Sequence, residues 1–401
     1  MDTDLQLVKI CVVSLLNFLT LGLIFPVISP HFKSIGASHA ILGISGAVFG
    51  GLQVLSGPVV GSWSDLRGRK YVATVTLLIS AVCYLFLGFT TSLGVVLFVR
   101  SISGLVEHTP LLTKAIIGDV LPKEKHTSAY SATGVMAALG IIIGPILSGH
   151  VVEGENGFYY VCILISTLHF IMMGFIQLIP EKKKDDKLIS TSNIKTEFFK
   201  IFVELTKIDW KIFWDVLVLK FIFSFCVMVY FTNQSLYIQE KFELSQKSVG
   251  YIIALFGVLG IVSTILMPSI KAKFYALDKN STKFLLHQYI IMTFGLLSLN
   301  LAPSLPIFVL ALLPFAVSHS ALTIVTNEIT LNRATDKDRG SLTGVSESVM
   351  GIGRFLAPLL SGLVASYFGE AHVLIFASLI SSLGIIVCLQ LIFQEKTNKK
   401  E

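Results

Sequence analysis

Twelve runs of apolar residues, each close to the length of a bilayer-crossing helix, follow one another along this chain with only short polar connections between them. A hydrocarbon core about 30 Å thick takes roughly 20 residues of helix. On that ruler the runs fall at residues 7–29, 39–60, 70–90, 94–118, 128–152, 157–179, 212–236, 247–270, 283–302, 305–328, 341–366 and 371–393. Within lipid, backbone N–H and C=O groups must be satisfied inside the segment, so each run is read as a helix. Of 401 residues, 53% are hydrophobic and only 14% charged, which is outside the usual range for a soluble domain. The expected fold class is therefore an all-α membrane protein of twelve transmembrane helices in two pseudo-symmetric six-helix halves.

The longest polar stretch separates spans six and seven and carries Lys182, Lys183, Lys184, Asp185, Asp186 and Lys187. It divides the chain into an N-terminal bundle (1–180), a linker (181–211) and a C-terminal bundle (212–401). An internal repeat supports the division. At one constant offset, Gly140 of span five falls on Gly353 of span eleven, Pro145 on Pro358, Ser148 on Ser361 and Gly149 on Gly362. At a second offset, Gly43 pairs with Gly250, Phe49 with Phe256 and Gly50 with Gly257. Equivalent spans run in the same direction, so the repeats are parallel, as in transporters whose halves move about a central site.

Charge placement orients the chain. If both termini are cytoplasmic, that side collects Lys9, Arg67, Arg69, Lys70, Lys123, Lys125, the linker lysines, Lys271, Lys273, Lys279, Lys283, Arg333, Lys337, Arg339 and the terminal lysines. The opposite side keeps Lys33, Lys241 and Lys247. The positive-inside rule favours this orientation, with the linker cytoplasmic. The first run is too long for a signal-peptide core and is read as a retained span. The five cysteines lie within apolar runs without metal-ligand or pairing spacing, so neither a disulfide framework nor a metal site is expected.

Between spans two and three stands GSWSDLRGRK, residues 61–70. Gly61 allows close helix approach and Gly68 a tight turn. Asp65 can pair with Arg69 or cap a neighbouring helix, while Arg67, Arg69 and Lys70 face the anionic leaflet. The stretch resembles the signature between the second and third helices of the major facilitator superfamily, although Leu66 stands where that family often has a cation. The resemblance implies that Asp65 and Arg69 latch the two halves on the inner side and that Asp119 joins their network. Setting topology alone is the plainer role for the same cations.

Two further segments carry the resemblance. Arg100 and Gly104 are similar to the family's R-x-x-x-G signature in span four. Gly140, Gly144, Pro145 and Gly149 in span five are similar to the G-x-x-x-G-P-x-x-G-G signature of its antiporter branch, with Ser148 departing from it. Tight packing of small residues explains the same glycines without implying a direction of transport. Within the superfamily, GSWSDLRGRK, EHTPLLTKAIIGDVLPKEK and APLLSG most resemble the eukaryotic group called major facilitator superfamily domain-containing protein 9.

Ionisable residues at bilayer depth are costly and face a partner or a wet cavity. Arg100, Glu107 and Lys114 recur every seven residues, nearly two helical turns, which places them on one face of span four. Glu107 falls near the midplane with His108 beside it, suited to load and release a proton; a static pair that holds helices together is the competing role. Glu347 and Arg354 repeat the spacing in span eleven, where Arg354 is placed to attract an anionic group. Their rise separation of about 10 Å argues against an intrahelical pair. Asp215 and Lys220, five residues apart in span seven, read as a local pair. Spans one, four, seven and ten line the cavity in the family, which adds Asn17, Asn233, Gln234, His319 and Asn327; for Asn17 and His319 an interhelical hydrogen bond is the simpler role. Glu328 is assigned to the cytoplasmic end of span ten and to gating.

Together these readings point to a secondary active transporter that moves a small organic solute by alternating access, with proton-coupled antiport expected. An uncoupled facilitator and a non-transporting scaffold or sensor with the same fold stand as alternatives. The sequence has no P-loop, kinase-like or metal-ligand motif, so no catalytic residues, cofactor or metal are expected. The expected partners are the solute, protons and the lipid bilayer, with no nucleic acid and the chain as a monomer. Plasma membrane and endomembrane vesicles are equally compatible.

Overall fold

The computed structural model describes residues 3–180, 210–278, 280–333 and 339–397. The expected linker, 181–211, thus lies almost wholly outside the described residues. Among these there are thirteen α-helices, two short 3-10 turns and no strand: α1 (Thr3–Ser34), α2 (His39–Arg67), α3 (Arg69–Phe89), α4 (Leu93–Val106), α5 (Thr109–Val120), α6 (His126–Val152) and α7 (Gly157–Gln177), then α8 (Trp210–Phe242), α9 (Gln246–Phe274), α10 (Thr282–Leu301), α11 (Leu305–Arg333), α12 (Arg339–Phe368) and α13 (Val373–Thr397). With α4 and α5 counted as one, twelve are long and apolar enough to span a membrane. Several helices run past the apolar limits read from sequence, because their polar ends continue the same hydrogen-bond ladder. Large apolar side chains such as Phe86, Phe98, Phe294 and Phe393 stay exposed, as expected where lipid rather than water is the solvent.

Contacts divide the chain into two compact units. The first comprises Met1–Ala37, Val48–Lys200 and Leu244–Ala254, the second Ser38–Ala47, Ile201–Glu243 and Leu255–Glu401. These units differ from the halves 1–180 and 212–401 by two exchanged segments, the first turns of α2 and of α9. Glycine explains both. In the second unit a side chain at Gly43 would come within 2.5 Å of the Pro358 carbonyl oxygen and 3.0 Å of the Gly362 Cα. In the first, one at Gly250 would come within 2.2 Å of the Pro145 carbonyl oxygen. Gly43 and Gly250 are the positions that the internal repeat pairs, and each lets its helix backbone touch a partner helix at the repeated proline.

Within the first unit, α1 packs on α6 just as closely. A side chain at Gly144 would lie 2.5 Å from the Gly22 backbone, and one at Gly140 would lie 2.6 Å from the Leu19 nitrogen. Lipid offers no hydrophobic drive between helices, so such backbone proximity and the dispersion contacts it brings hold them together. An apolar core of Val13, Val60, Val72, Leu77, Leu112, Met172 and Ile176 joins α1, α2, α3, α5 and α7. In the second unit Gly353 fits against Ser224, Gly384 against the Tyr289 ring, and the Tyr289 hydroxyl donates to the Leu219 carbonyl at 2.6 Å.

The charged segment Gly61–Lys70 is not a loop. Helix α2 continues through Arg67, only Gly68 is non-helical, and α3 begins at Arg69. Gly68 has φ of 100°, a region that side-chain-bearing residues avoid. Gly61, by contrast, has only the Leu111 side chain at 3.9 Å, so close helix approach does not require it.

Candidate functional site

Span four is broken at its centre. Helix α4 ends at Val106 and α5 starts at Thr109, leaving Glu107 (φ −75°, ψ 72°) and His108 (φ −120°, ψ 22°) outside both. Pro110 in the first turn of α5 is the local cause, since it has no N–H for the carbonyl one turn back and its ring crowds that carbonyl. The expectation of one continuous face for Arg100, Glu107 and Lys114 therefore fails. Lys114 is an exposed residue of α5, beyond the break.

A break at bilayer depth frees backbone groups that need new partners, and α2 supplies them. Gln53 donates through Nε2 to the Glu107 carbonyl oxygen at 2.9 Å. The Ser56 hydroxyl lies 2.7 Å from His108 Nε2 and 3.3 Å from the Gly104 carbonyl oxygen. Gly104 makes the approach possible, because a side chain there would come 2.6 Å from the Phe49 carbonyl oxygen. The Arg100 guanidinium stacks 3.9 Å over the Phe49 ring, a cation–π contact that shelters it from lipid.

Glu107 sits at the junction of these groups. Its carboxyl feels the Arg100 charge and the Tyr84 hydroxyl of α3, while Oε1 is buried with no hydrogen-bond partner. Arg100 Nε is likewise buried without one. Tyr84 in turn packs against His169 of α7, with ring centroids 5.5 Å apart. The result is a carboxyl on a helix discontinuity with an open acceptor and a cation close by, which can hold or release a proton and can meet a polar solute. Gln53, Ser56 and Tyr84 were not among the residues singled out from sequence. A mid-span amide in a glycine-rich helix facing a mid-span Glu-His-Thr-Pro was the available signal.

The second unit has its own polar cluster. Lys220 of α8 is buried, and Nζ donates to Asn327 Oδ1 of α11 at 3.0 Å. It does not pair with Asp215 as the spacing suggested. Asp215 takes two hydrogen bonds from the Arg333 guanidinium, at 2.6 and 2.9 Å. Five helical steps rotate the two α8 side chains well apart, whereas Arg333, at the last turn of α11, reaches across. On α12, Arg354 comes within 3.7 Å of Glu347, so the intrahelical contact disfavoured by rise does form, because both long side chains extend toward each other along the axis.

The remaining candidates divide by their contacts, since Asn233 and His319 are held by neighbours while Asn17 Nδ2 and Gln234 Oε1 are buried with no hydrogen-bond partner. Asn233 donates to Val229 and to the Ser361 hydroxyl, His319 lies among the rings of Phe223, Phe231 and Phe256, and Asn17 and Gln234 are buried.

The charged network near Gly68 lies within the first unit. Arg69 pairs with Asp65 one turn earlier in the chain, with Asp119 of α5 at 3.1 Å and with the Ser64 hydroxyl. Arg67 forms no ion pair among the described residues. The second unit has an ion pair of its own, where Lys271 in the last turn of α9 contacts both carboxylate oxygens of Glu328 on α11 at 2.7 and 2.8 Å.

Comparison with known proteins gives a consistent result. The sequence profile described as Major Facilitator Superfamily matches residues 10–286 and 275–401. The quinolone resistance protein NorA of Staphylococcus aureus strain COL is 25% identical over 378 residues, covering 93% of each chain. The class H tetracycline resistance protein of Pasteurella multocida is 27% identical over 269 residues, 64% of each chain. Among solved structures, a bacterial homologue of the human lysosomal transporter Spinster, inward-facing and unoccupied, superimposes with a TM-score of 0.80 at 15% identity over 96% of both chains.

Proposed function

The chain belongs to the major facilitator superfamily, and from that premise we propose that it exchanges a small organic solute for protons by alternating access. Its membership makes it an integral multi-pass membrane protein and a secondary transporter rather than an enzyme. The observation that carries the finer reading is the break in span four, with the Glu107 carboxyl open at Oε1 beside Arg100 and Tyr84. Discontinuous helices place exposed backbone and ionisable groups where solute and coupling ion bind. Protonation of a carboxyl beside an arginine changes the local charge by one, and that change can bias which side of the protein opens.

The asymmetry of lysine and arginine supports cytoplasmic termini. Asp65, Arg69 and Asp119 are then a cytoplasmic latch, with Lys271 and Glu328 its counterpart in the second unit. Within the superfamily we assign the chain to the domain-containing protein 9 group, a reading supported by the resemblance of its GSWSDLRGRK, EHTPLLTKAIIGDVLPKEK and APLLSG segments. The names of the two curated relatives make quinolones and tetracyclines the first compounds to try.

The test uses purified protein in proteoliposomes containing a pH dye, with a quinolone, a tetracycline and a small-solute library as probes. Uptake driven by an inward-acid or inward-alkaline gradient, with matching proton flux that Glu107→Gln abolishes, supports the proposal. Uptake indifferent to the gradient and normal in Glu107→Gln overturns antiport in favour of a facilitator. No uptake of any compound, with no ligand-dependent change in helix accessibility, favours a scaffold.

A further inference from the structure

Lys220 presents an unusual electrostatic arrangement. The residue is 2% exposed, yet among the described residues its ammonium has no carboxylate within ion-pairing distance. The nearest acid on its own helix, Asp215, is engaged twice by Arg333. The hydrogen bond that Nζ makes goes to a neutral amide, Asn327 Oδ1. An ammonium carries three donors, so two remain open. Asn327 itself is exposed, which places the charged tip of Lys220 under the surface of its unit, while its stem is buried beneath.

Arg354 completes the cluster. Its helix packs on α8 at this level, where the Ser224 hydroxyl, one turn after Lys220, donates to the Met350 carbonyl, between Glu347 and Arg354, at 2.9 Å. Arg354 comes within 3.7 Å of the Glu347 carboxylate, whose charge also reaches Lys220. The Arg354 Nε is buried with no hydrogen-bond partner. Glu347 offsets one of the two cations, which leaves one positive charge in excess and unused N–H donors along the contact between α8 and α12. A buried cation without a counter-charge carries a desolvation cost of several kcal/mol. An anionic ligand group that uses the idle donors would recover it.

We infer that Lys220 and Arg354 form the recognition point for a carboxylate on the transported solute, so that the substrate is an organic monoanion. The charge count selects one negative charge over two, and charge-assisted hydrogen bonds from ammonium and guanidinium suit a carboxylate. Glu347 holds Arg354 in place and makes a cationic solute less costly only where Lys220 is absent. This assignment rests on the transport proposal for its biological meaning but not for its binding chemistry.

The test measures binding to the purified full chain in detergent by thermal-shift titration with two matched trios. These are 2-naphthoate, 2-naphthamide and 2-naphthylmethylamine, and cyclohexanecarboxylate, its amide and cyclohexylmethylamine. The carboxylate of at least one trio is expected to half-saturate at roughly 10- to 100-fold lower concentration than its amide, the range of one or two charged hydrogen bonds. Lys220→Gln should erase that preference and Lys220→Arg should retain it. Arg354→Gln, a second route should Lys220→Gln fold poorly, should weaken the carboxylate alone. Equal binding of carboxylate and amide in both trios, preference for the amine, or a carboxylate preference that survives Lys220→Gln overturns the assignment. Flux in proteoliposomes separates the two proposals. Lys220-dependent carboxylate binding without flux removes transport and leaves the site, whereas flux of neutral or cationic compounds without carboxylate preference removes the site and leaves transport.

Discussion

The side-chain amide of Gln53 donates to the backbone carbonyl of Glu107 across 2.9 Å, joining α2 to the gap between α4 and α5. That bond satisfies a carbonyl freed by the helix break, in a region where water is scarce. Gln53→Met preserves volume and removes the donor. It should cost about 1–3 kcal/mol, the penalty for an unsatisfied buried acceptor, read as a lower unfolding midpoint. An unchanged midpoint would mean that the carbonyl finds another partner.

Close packing at Gly144 leaves no room for a side chain, with the Gly22 backbone 2.5 Å away. Gly144→Val should destabilise by about 1–3 kcal/mol or more through overpacking and reduce the yield of monodisperse protein. Gly118 has open space within 4 Å. Gly118→Ala should be neutral or stabilise by up to about 1 kcal/mol through helix propensity. Similar behaviour of the two variants in size-exclusion yield would contradict the packing geometry.

Asp65, Arg69 and Asp119 form a network of half-exposed groups, and exposed pairs contribute only about 0–1 kcal/mol to stability. Asp65→Asn should therefore leave the unfolding midpoint nearly unchanged while lowering turnover several-fold, because the network is proposed to control switching rather than solute contact. Initial-rate measurements over a range of solute concentrations check this. A change confined to the apparent affinity would count against a latch.

Asp215 and Lys220 share a helix but not a partner, and their variants should diverge. The Asp215 side chain is 9% exposed and that of Arg333 33%, so Arg333→Gln strands a buried carboxylate at a cost of about 1–3 kcal/mol after allowance for solvent around Arg333. Lys220→Met removes a buried cation that forms no ion pair among the described residues and should be neutral or stabilising. Equal destabilisation in thermal unfolding would restore the pairing of Asp215 with Lys220.

The sequence by itself determined that this chain crosses a membrane in twelve helices and repeats itself in two halves. Lipid admits helical segments of about this length and little else, so hydropathy alone carries that conclusion. The glycines and prolines of the repeat were also legible. Gly43, Gly250, Gly144 and Gly362 each mark a backbone approach that no larger residue permits.

The tertiary structure decided which charges meet. Periodicity places Arg100, Glu107 and Lys114 on one face only if the helix is unbroken, and Pro110 interrupts it between the second and third. Spacing along α8 suggested Asp215 with Lys220, but a guanidinium from α11, 118 residues away in sequence, lies closer to Asp215. Ion pairs and caps depend on which helices stand side by side and how each is rotated. That arrangement arises from many small packing contacts summed over the bundle, and no local stretch of sequence encodes it.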